Sequence, residues 1–226
     1  MSRLVVVKLG GNAALESVPA VAGIARESRV CIVHGGGAQI TAVARARGIE
    51  PRFVGGRRVT DLEMLACVRE GLGAVSDELC AALRAAGLAP LAFADGVVEA
   101  RRTPELGFVG EPTGVRDGGI RAALGRGLVP VIAPLGIDDA GSALNINADD
   151  AAAAIATALA ADELVFLSDV PGVLDERGAV LSQISASRPP ASATGGMLPK
   201  LEACTTALLG GVARVSIGIA GTVVTP

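Results

Sequence analysis

The sequence contains no tryptophan and no tyrosine, and phenylalanine occurs only four times in 226 residues. Proteins that bind single strands of nucleic acid stack the bases on aromatic side chains, so this composition argues against such a function. The 20 basic and 23 acidic residues are mixed along the chain, and no basic arm stands out. We therefore expect no nucleic-acid partner.

Cysteine and histidine are also scarce, with four and one residues respectively. No two cysteines form a C-x-x-C pair, so neither a zinc site nor a thioredoxin-like redox motif is expected, and we predict no metal held by the protein. The first residues run directly into a strand-like pattern that does not resemble a signal peptide. No apolar run has the length of a membrane span. We expect a reduced, cytoplasmic location and no membrane partner.

Apolar residues make up 50% of the chain and charged residues 19%, which is typical of a well-buried globular protein. Short apolar runs such as LVVVKL, RVCIVHG and ELVFLSDV alternate with longer stretches rich in alanine and leucine. Continuous apolar runs are typical of strands that are covered on both faces, and their alternation with helices favours a parallel sheet. The sequence therefore predicts a doubly wound α/β fold in which residues 1–226 form a single domain.

Four helices are predicted from apolar periodicity, at residues 39–47, 62–86, 148–161 and 201–210. Asp61 is a candidate cap of the second, although Thr60 is an alternative. The segment from 90 to 115 is rich in turn residues and predicts antiparallel hairpins. The run LVPVIAPLG predicts one further strand, and ARVSIGI and GTVVT close the chain as two more.

Glycines follow the first two predicted strands, in KLGG (Gly10 and Gly11) and in HGGG (which includes Gly36 and Gly37). Backbone N–H groups in such loops can bind phosphate oxygens, and a helix N-terminus after the second loop adds to the attraction. An ordinary tight turn beside a solvated Lys8 is the alternative. Neither loop matches G-x-x-x-x-G-K-[ST] or G-x-G-x-x-G. The single histidine, at position 34, is either a catalytic base or, more often at such a position, a hydrogen-bonded structural residue.

Polar residues cluster at three further places where the neighbouring segments are apolar. Arg58 in GGRRVTD suits two-pronged capture of a carboxylate or phosphate, or lies in a solvated loop. The stretch LNINADD places Asn145, Asn147, Asp149 and Asp150 just before an alanine-rich helix, where burying them costs free energy unless something binds them. Lys200 stands at a predicted helix start, where its charge opposes the helix dipole, and such conflicts often mark function.

These motifs, in this order and spacing, resemble the amino acid kinase superfamily, and within it the acetylglutamate kinases. The matching stretches run along nearly the whole chain: KLGG, VHGGGAQI, FVGGRRVTD, LGFVGEPTGV, LVPVIAPLG, LNINADDAA, LSDVPGVL and GGMLPKLEA. The resemblance implies a three-layer α/β/α sandwich with a mainly parallel central sheet. It also implies an amino-acid lobe at about residues 1–140 and a nucleotide lobe at about residues 141–226.

The resemblance further implies roles for individual residues. Lys8 would contact the transferring phosphoryl group, Lys200 would stabilise charge on the ATP side, and Asp149 would lie between the two lysines and organise them. Arg58 and Asn145 would hold the α-carboxylate of the amino acid. Backbone groups of Gly36 and Gly37 would bind around the reacting carboxylate. The nucleotide and its phosphates would be bound by Gly10, Gly11, Asp169, Gly196 and Met197.

The implied reaction is ATP-dependent phosphorylation of the side-chain carboxylate of N-acetyl-L-glutamate, which gives N-acetyl-glutamyl 5-phosphate in arginine biosynthesis. A carboxylate is already ionised at neutral pH, so alignment and charge neutralisation suffice and no general base is needed. Mg²⁺ would be held mainly by the ATP phosphates. Arginine-inhibited members form hexamers through a helix before the first strand, and no such helix is seen here, so we expect a homodimer.

Two other functions fit the same motifs. A kinase of carrier-linked aminoadipate in lysine biosynthesis would have a similar site, but that group tends to have S-R-x-T-D where this chain has GRRVTD. A non-catalytic ligand-binding paralogue would share the fold, since fold does not fix function. Such a paralogue would be expected to have lost at least one of Lys8, Asp149 and Lys200, and all three are present.

Overall fold

The structure is a computed structural model that describes residues 2–10, 14–167, 171–188, 190, 197–218 and 221–225. Its helices are α1 (Val18–Ala25), α2 (Gly37–Ala46), α3 (Leu62–Ala85), α4 (Gly118–Gly125), α5 (Ala148–Leu159) and α6 (Met197–Leu209). Its first seven strands are β1 (Leu4–Leu9), β2 (Arg29–His34), β3 (Phe53–Val54), β4 (Arg57–Arg58), β5 (Pro90–Phe93), β6 (Val98–Arg102) and β7 (Val109–Val115). The remaining strands are β8 (Val129–Ile132), β9 (Leu135–Ile137), β10 (Ala143–Ile146), β11 (Glu163–Leu167), β12 (Gln183–Ser185), β13 (Arg214–Ile217) and β14 (Thr222–Thr225).

The central sheet has eight strands in the order β12-β14-β13-β11-β1-β2-β8-β5. The six strands from β13 to β5 are mutually parallel, and β14 runs antiparallel to β13. The predicted mainly parallel sheet is therefore confirmed. Parallel strands bind ligands beyond their carboxyl ends, and β1 and β2 lead directly into the two glycine loops there.

Strand β1 is buried along its whole length and separates the two helical layers. Leu4 and Val6 pack with α4, α5 and α6, whereas Val5 and Val7 pack with α1 and α3 on the opposite face. Alternation along a strand places Lys8 on the same face as Leu4 and Val6, which is the face that α5 covers. The three-layer sandwich is thus confirmed, and the register of β1 alone aims Lys8 at helix α5.

Two smaller sheets lie outside the central one. Strands β6, β7, β9 and β10 close on one another, and β3 pairs with β4 in a short antiparallel hairpin. A single residue, Asn147, separates the end of β10 from the start of α5, so this small sheet leads straight into the polar NADD stretch. Within the described residues, no helix is both long enough and apolar enough to cross a membrane.

The structure corrects several sequence predictions at the level of single elements. Strand β5 was expected in a hairpin, but it pairs in parallel with β8 at the edge of the central sheet; only β6 and β7 form the expected antiparallel pair. The run LVPVIAPLG is two strands, β8 and β9, which belong to different sheets. Helix α6 begins four residues earlier than predicted, and α1, α4, β3, β4 and β12 were not predicted.

Candidate active site

The two glycine loops lie side by side because β1 and β2 are neighbours in the sheet. The N–H of Gly35 donates to the carbonyl of Leu9 at 2.8 Å, and the N–H of Gly10 donates to that of Leu167 at 2.9 Å. A Cβ atom on Gly10 would lie 2.6 Å from Nζ of Lys8, so a side chain there would displace the ammonium group from its position. Gly36 then caps α2, whose first residue is Gly37.

Three charged side chains meet just beyond the end of β1. Nζ of Lys8 lies 2.7 Å from Oδ1 of Asp149, and Nζ of Lys200 lies 3.0 Å from Oδ2 of the same carboxylate. Each of these side chains is only 10–11% exposed. Lys200 also lies over the ring of Phe166, 4.9 Å from its centroid, and Phe166 is the register partner of Lys8 on β11. The predicted arrangement of one carboxylate between two lysines is therefore present.

Burial and charge pull the protonation equilibria of this cluster in opposite directions. Burial lowers the pKa of Lys8, and the attraction of Asp149 only partly offsets this effect, while Lys200 adds to it. Burial alone would raise the pKa of Asp149, but the two lysines and their hydrogen bonds outweigh it, so its pKa lies below its usual value. Asp149 is consequently ionised at neutral pH, and its charge helps to keep the lysines protonated.

Helix α5 is capped by a residue other than Asp149. The side-chain oxygen of Asn147 accepts hydrogen bonds from the backbone N–H groups of Asp149 at 2.8 Å and Asp150 at 3.3 Å. This satisfies two of the helix's free N-terminal donors. Asp149 therefore does not cap the helix, and its carboxylate is left to the two lysines.

Arg58 projects from β4 toward the N-terminus of α2. Its Nη2 donates to the carbonyl of Gly37 and to Oγ1 of Thr41, both at 3.0 Å. Its Nη1 is buried and, among the residues described, has no hydrogen-bond partner. An unpaired buried donor is costly, whereas a bound carboxylate would satisfy it. The arginine is 7% exposed, so the solvated-loop alternative does not hold.

A cavity of about 280 Å³ is lined both by Lys8 of the charged cluster and by Arg58. Its lining includes Lys8, Gly36, Gly37, Arg58 and Asn145. This volume is close to the lower end, about 300 Å³, of the sites that hold small ligands. The cavity therefore brings together the first lysine and all four residues that were predicted to bind the amino acid.

His34 has a structural environment, in agreement with the commoner of its two predicted roles. It is completely buried, with Nδ1 2.9 Å from the carbonyl of Gly35 and Nε2 2.7 Å from Oγ of Ser76. A carbonyl can only accept, so Nδ1 carries the proton and Nε2 accepts from the serine. Burial lowers the pKa of this neutral imidazole, although the Gly35 hydrogen bond opposes the shift. His34 ties the glycine loop to α3.

The nucleotide side of the site is described less fully. Gly11, Asp169 and Gly196 lie outside the described residues. Gly10 lies beside Lys8, and Met197 is the first residue of α6, the helix whose first turn carries Lys200. Within the described ranges, no group of three histidine, cysteine, aspartate or glutamate side chains could hold a metal ion.

Several polar contacts at the site were not predicted. Thr60 is fully buried, donates to the carbonyl of Arg58 and accepts from Nδ2 of Asn145 at 3.1 Å, so it links two predicted substrate residues. The sequence had offered it only as an alternative helix cap, but the cap of α3 is Asp61, which accepts from the N–H of Met64. No sequence signal distinguishes a threonine that caps a helix from one that braces an asparagine 85 residues away.

Comparison with known proteins finds related sequences along nearly the whole chain. The sequence profile of the amino acid kinase family matches residues 3–218. An acetylglutamate kinase of Koribacter versatilis is 40% identical over 233 aligned positions, which cover 94% of this chain and 89% of that protein. An acetylglutamate kinase of Gluconacetobacter diazotrophicus is 41% identical over 214 positions, covering 85% of this chain and 68% of that one.

Solved structures share the same architecture. A protein of Streptococcus mutans UA159 superimposes with a TM-score of 0.89 at 32% identity, and the match covers 100% of this chain and 99% of that one. An N-acetylglutamate synthase of Neisseria gonorrhoeae, complexed with coenzyme A and N-acetyl-glutamate, superimposes with a TM-score of 0.82 over 96% of this chain and 54% of its own. At 24% identity the latter match concerns the fold alone.

Proposed function

The chain belongs to the amino acid kinase family, and we propose that it transfers the γ-phosphoryl group of ATP to the side-chain carboxylate of N-acetyl-L-glutamate. The product would be N-acetyl-glutamyl 5-phosphate, in arginine biosynthesis. The observation that carries this proposal is the buried Lys8–Asp149–Lys200 cluster, which adjoins the cavity that Arg58 and Asn145 line. The identity of about 40% to acetylglutamate kinases supports the choice of substrate.

In this reaction an oxygen of the substrate carboxylate attacks the γ-phosphorus, and the bond from that phosphorus to the bridging oxygen of ADP breaks. The attacking group is already an anion, so the protein has only to align the reactants and neutralise their charges. Lys8, which reaches the cavity, would contact the transferring group from the acceptor side. Lys200 would stabilise the charge that develops on ADP, and Asp149 would hold both ammonium groups in place.

The amino acid would be held by the polar groups at the opposite wall of the cavity. Arg58 has a free buried Nη1 donor, and Asn145 is fixed by Thr60, so both present preformed partners for the α-carboxylate. Backbone N–H groups of Gly36 and Gly37, at the N-terminus of α2, would bind the reacting carboxylate, where the helix dipole also favours negative charge.

The nucleotide would enter as MgATP, with Mg²⁺ held mainly by the phosphates and therefore part of the substrate. Gly10 and Met197 would lie near it, together with Gly11, Asp169 and Gly196. This divides the single domain into an amino-acid lobe, about residues 1–140, and a nucleotide lobe, about residues 141–226. We also propose a cytoplasmic location, since all four cysteines are free thiols.

We further propose that the chain forms a homodimer. Strand β5 is an edge of the central sheet and exposes Leu91 to 39%, and an exposed edge strand is a natural place for pairing. Light scattering on the purified chain distinguishes twice the chain mass of 22.4 kDa from a single copy. A monomer at micromolar concentration would contradict this part of the proposal.

The test of the activity is a coupled assay of ADP release with N-acetyl-L-glutamate, L-glutamate and L-aminoadipate in parallel reactions. We expect ADP release only with N-acetyl-L-glutamate, and formation of a hydroxamate when hydroxylamine is present, because acyl phosphates acylate hydroxylamine. Lys8→Ala serves as the matched variant and should release ADP about 10²–10³-fold more slowly, since it lacks a charge that acts in the transition state. ADP release without a hydroxamate, or with none of the three acids, would contradict the proposal.

A further inference from the structure

Two consecutive arginines of the β3–β4 hairpin bind different elements of the protein. Arg58 binds the first turns of α2, through Gly37 and Thr41. Arg57 turns the other way: its Nη2 lies 3.0 Å from Oδ2 of Asp150 on α5, and its Nη1 lies 3.7 Å from Oε1 of Glu111 on β7. The proposed roles given above use Arg58 and leave Arg57 and Asp150 without a function.

The hairpin depends on such polar contacts because it has little apolar packing of its own. It belongs to neither of the two larger sheets, and Phe53 and Val54 on β3 are 56% and 55% exposed. The side chains of Arg57 and Asp150, in contrast, are only 30% and 22% exposed. A partly buried ion pair constrains geometry more than an exposed pair does, since solvent screens it less.

We propose that Arg57 is a positioning residue whose ion pair with Asp150 sets the distance between the hairpin that carries Arg58 and the helix that carries Asp149. This inference rests on the proposed function, in which Arg58 holds one end of the amino acid while the lysines bound to Asp149 meet the other end. The two ends of the substrate must fit a fixed span, and the Arg57–Asp150 pair is the ionic contact that joins the two elements directly.

The charges around Asp150 explain why it needs a cationic partner. Burial raises the pKa of Asp150, and neighbouring Asp149, Glu202 and Glu111 raise it further, whereas Arg57 is the group that opposes the shift. Without Arg57, Asp150 would face carboxylates of its own helix, of α6 and of β7. It would then take up a proton more readily or turn toward solvent, and either change would release the hairpin from α5.

The experiment is a double-mutant cycle on the full chain with Arg57→Leu, Asp150→Asn and the double variant. Leucine keeps part of the aliphatic volume that Arg57 contributes to the cavity wall, and Asp150 is not among the described lining residues. We expect each single change to raise KM for N-acetyl-L-glutamate about tenfold, and the double change to raise it no further, because both remove the same interaction. KM for ATP should change less than about twofold.

Arg116→Leu is the matched control, because Arg116 pairs with Glu99 at 2.9 Å and is not part of the described cavity wall. It should leave both KM values unchanged. Additive effects of the two single changes would show that Arg57 and Asp150 act independently of each other. Equal increases in KM for both substrates would indicate a merely structural role. Either outcome would overturn the proposal.

Hydrogen exchange of the hairpin amides, residues 53–58, tests the same pair without any substrate. We expect faster exchange in Arg57→Leu and in Asp150→Asn than in the parent and in Arg116→Leu. If the parent fails to phosphorylate N-acetyl-L-glutamate, the proposed function fails, and this measurement still decides whether the pair holds the hairpin. Unchanged exchange in both variants would overturn the positioning role.

Discussion

Replacing Asp149 by asparagine isolates the charge of this residue from its shape. The backbone of α5 should not change, since Asn147 caps the helix and asparagine fills the same volume as aspartate. What changes is the attraction to two ammonium groups at 2.7 and 3.0 Å. At an effective dielectric constant of about 20, each attraction is worth about 6 kcal/mol before the cost of desolvation. The cost of desolvating the charged groups offsets most of this attraction. The net free energy lost when the charge of Asp149 is removed is therefore at most several kcal/mol.

We expect kcat of Asp149→Asn to fall at least about a hundredfold, or roughly 2.7 kcal/mol in the activation free energy. The two lysines would repel each other in a largely buried site, and one or both would leave the position that the transition state needs. The same repulsion should lower stability by about 3 kcal/mol, which corresponds to a melting temperature roughly 6–12 °C lower in a protein of this size.

The pH dependence of this loss of stability gives a second, independent check. Burial already lowers the pKa of Lys8, and removal of Asp149 takes away the interaction that raises it most, so the pKa falls further. The folded variant then binds fewer protons than the unfolded chain, whose lysines titrate near 10.5. The stability of Asp149→Asn must therefore rise with pH relative to that of the parent. The difference between the two melting temperatures should then narrow from pH 7 to pH 9.

The measurements are ADP release, well below the melting temperature, and thermal unfolding of the same preparation. Asp139→Asn is the control, because Asp139 is exposed in the turn before β10. Near-normal turnover of Asp149→Asn would refute the reasoning. So would a stability deficit that is the same at pH 7 and pH 9, because it would show that no lysine changes its protonation.

Two further variants test other parts of the site. Arg58→Lys should raise KM for N-acetyl-L-glutamate about tenfold or more at saturating ATP, because an ammonium group keeps the charge but not the two-pronged geometry; an unchanged KM would remove Arg58 from the carboxylate site. The buried His34 has a pKa below the ordinary value of 6.5, so the folded state binds fewer protons and stability should fall as pH drops below about 6.5. Urea unfolding from pH 7.5 to 5.5 should show a shallower fall in His34→Gln than in the parent, and equal slopes would contradict this explanation.

The elements that the sequence predicted well are those with strong local signals. Helix α3 has its Asp61 cap and a long apolar face, and β1 and β2 are continuous apolar runs that end in glycine. Helix α4, in contrast, begins with Gly118 and Gly119, which are poor helix formers, and it is held by the packing of Ile120 and Leu124 on the sheet. Such a helix is fixed by tertiary contacts that no local pattern shows.

The pairing of strands was the second feature that could not be predicted from the sequence. The segment that forms β5 has the composition of a hairpin strand, and alternation does not reveal whether a strand's partner is parallel or antiparallel. Its true partner, β8, begins 39 residues after β5 does, across the small sheet and α4. The site shows the same limit. The motifs identified Lys8, Asp149 and Lys200, but the register of β1, the cap at Asn147 and the packing of α6 with α5 bring their charged groups within 3.0 Å.

The charges at the site explain why one carboxylate is shared by two lysines. Lys8, Lys200 and Arg58 are three cations, and among the described residues Asp149 is the one carboxylate that pairs with Lys8 and Lys200, since Asp150 is paired with Arg57. The described groups therefore leave two positive charges uncompensated in a buried site, which is unfavourable for the folded state without ligands. A second carboxylate near the lysines would remove that strain, but it would also repel both substrates. Asp149 thus supplies the smallest negative charge that keeps two ammonium groups together, and the remaining positive charge is available to the carboxylate and the phosphates.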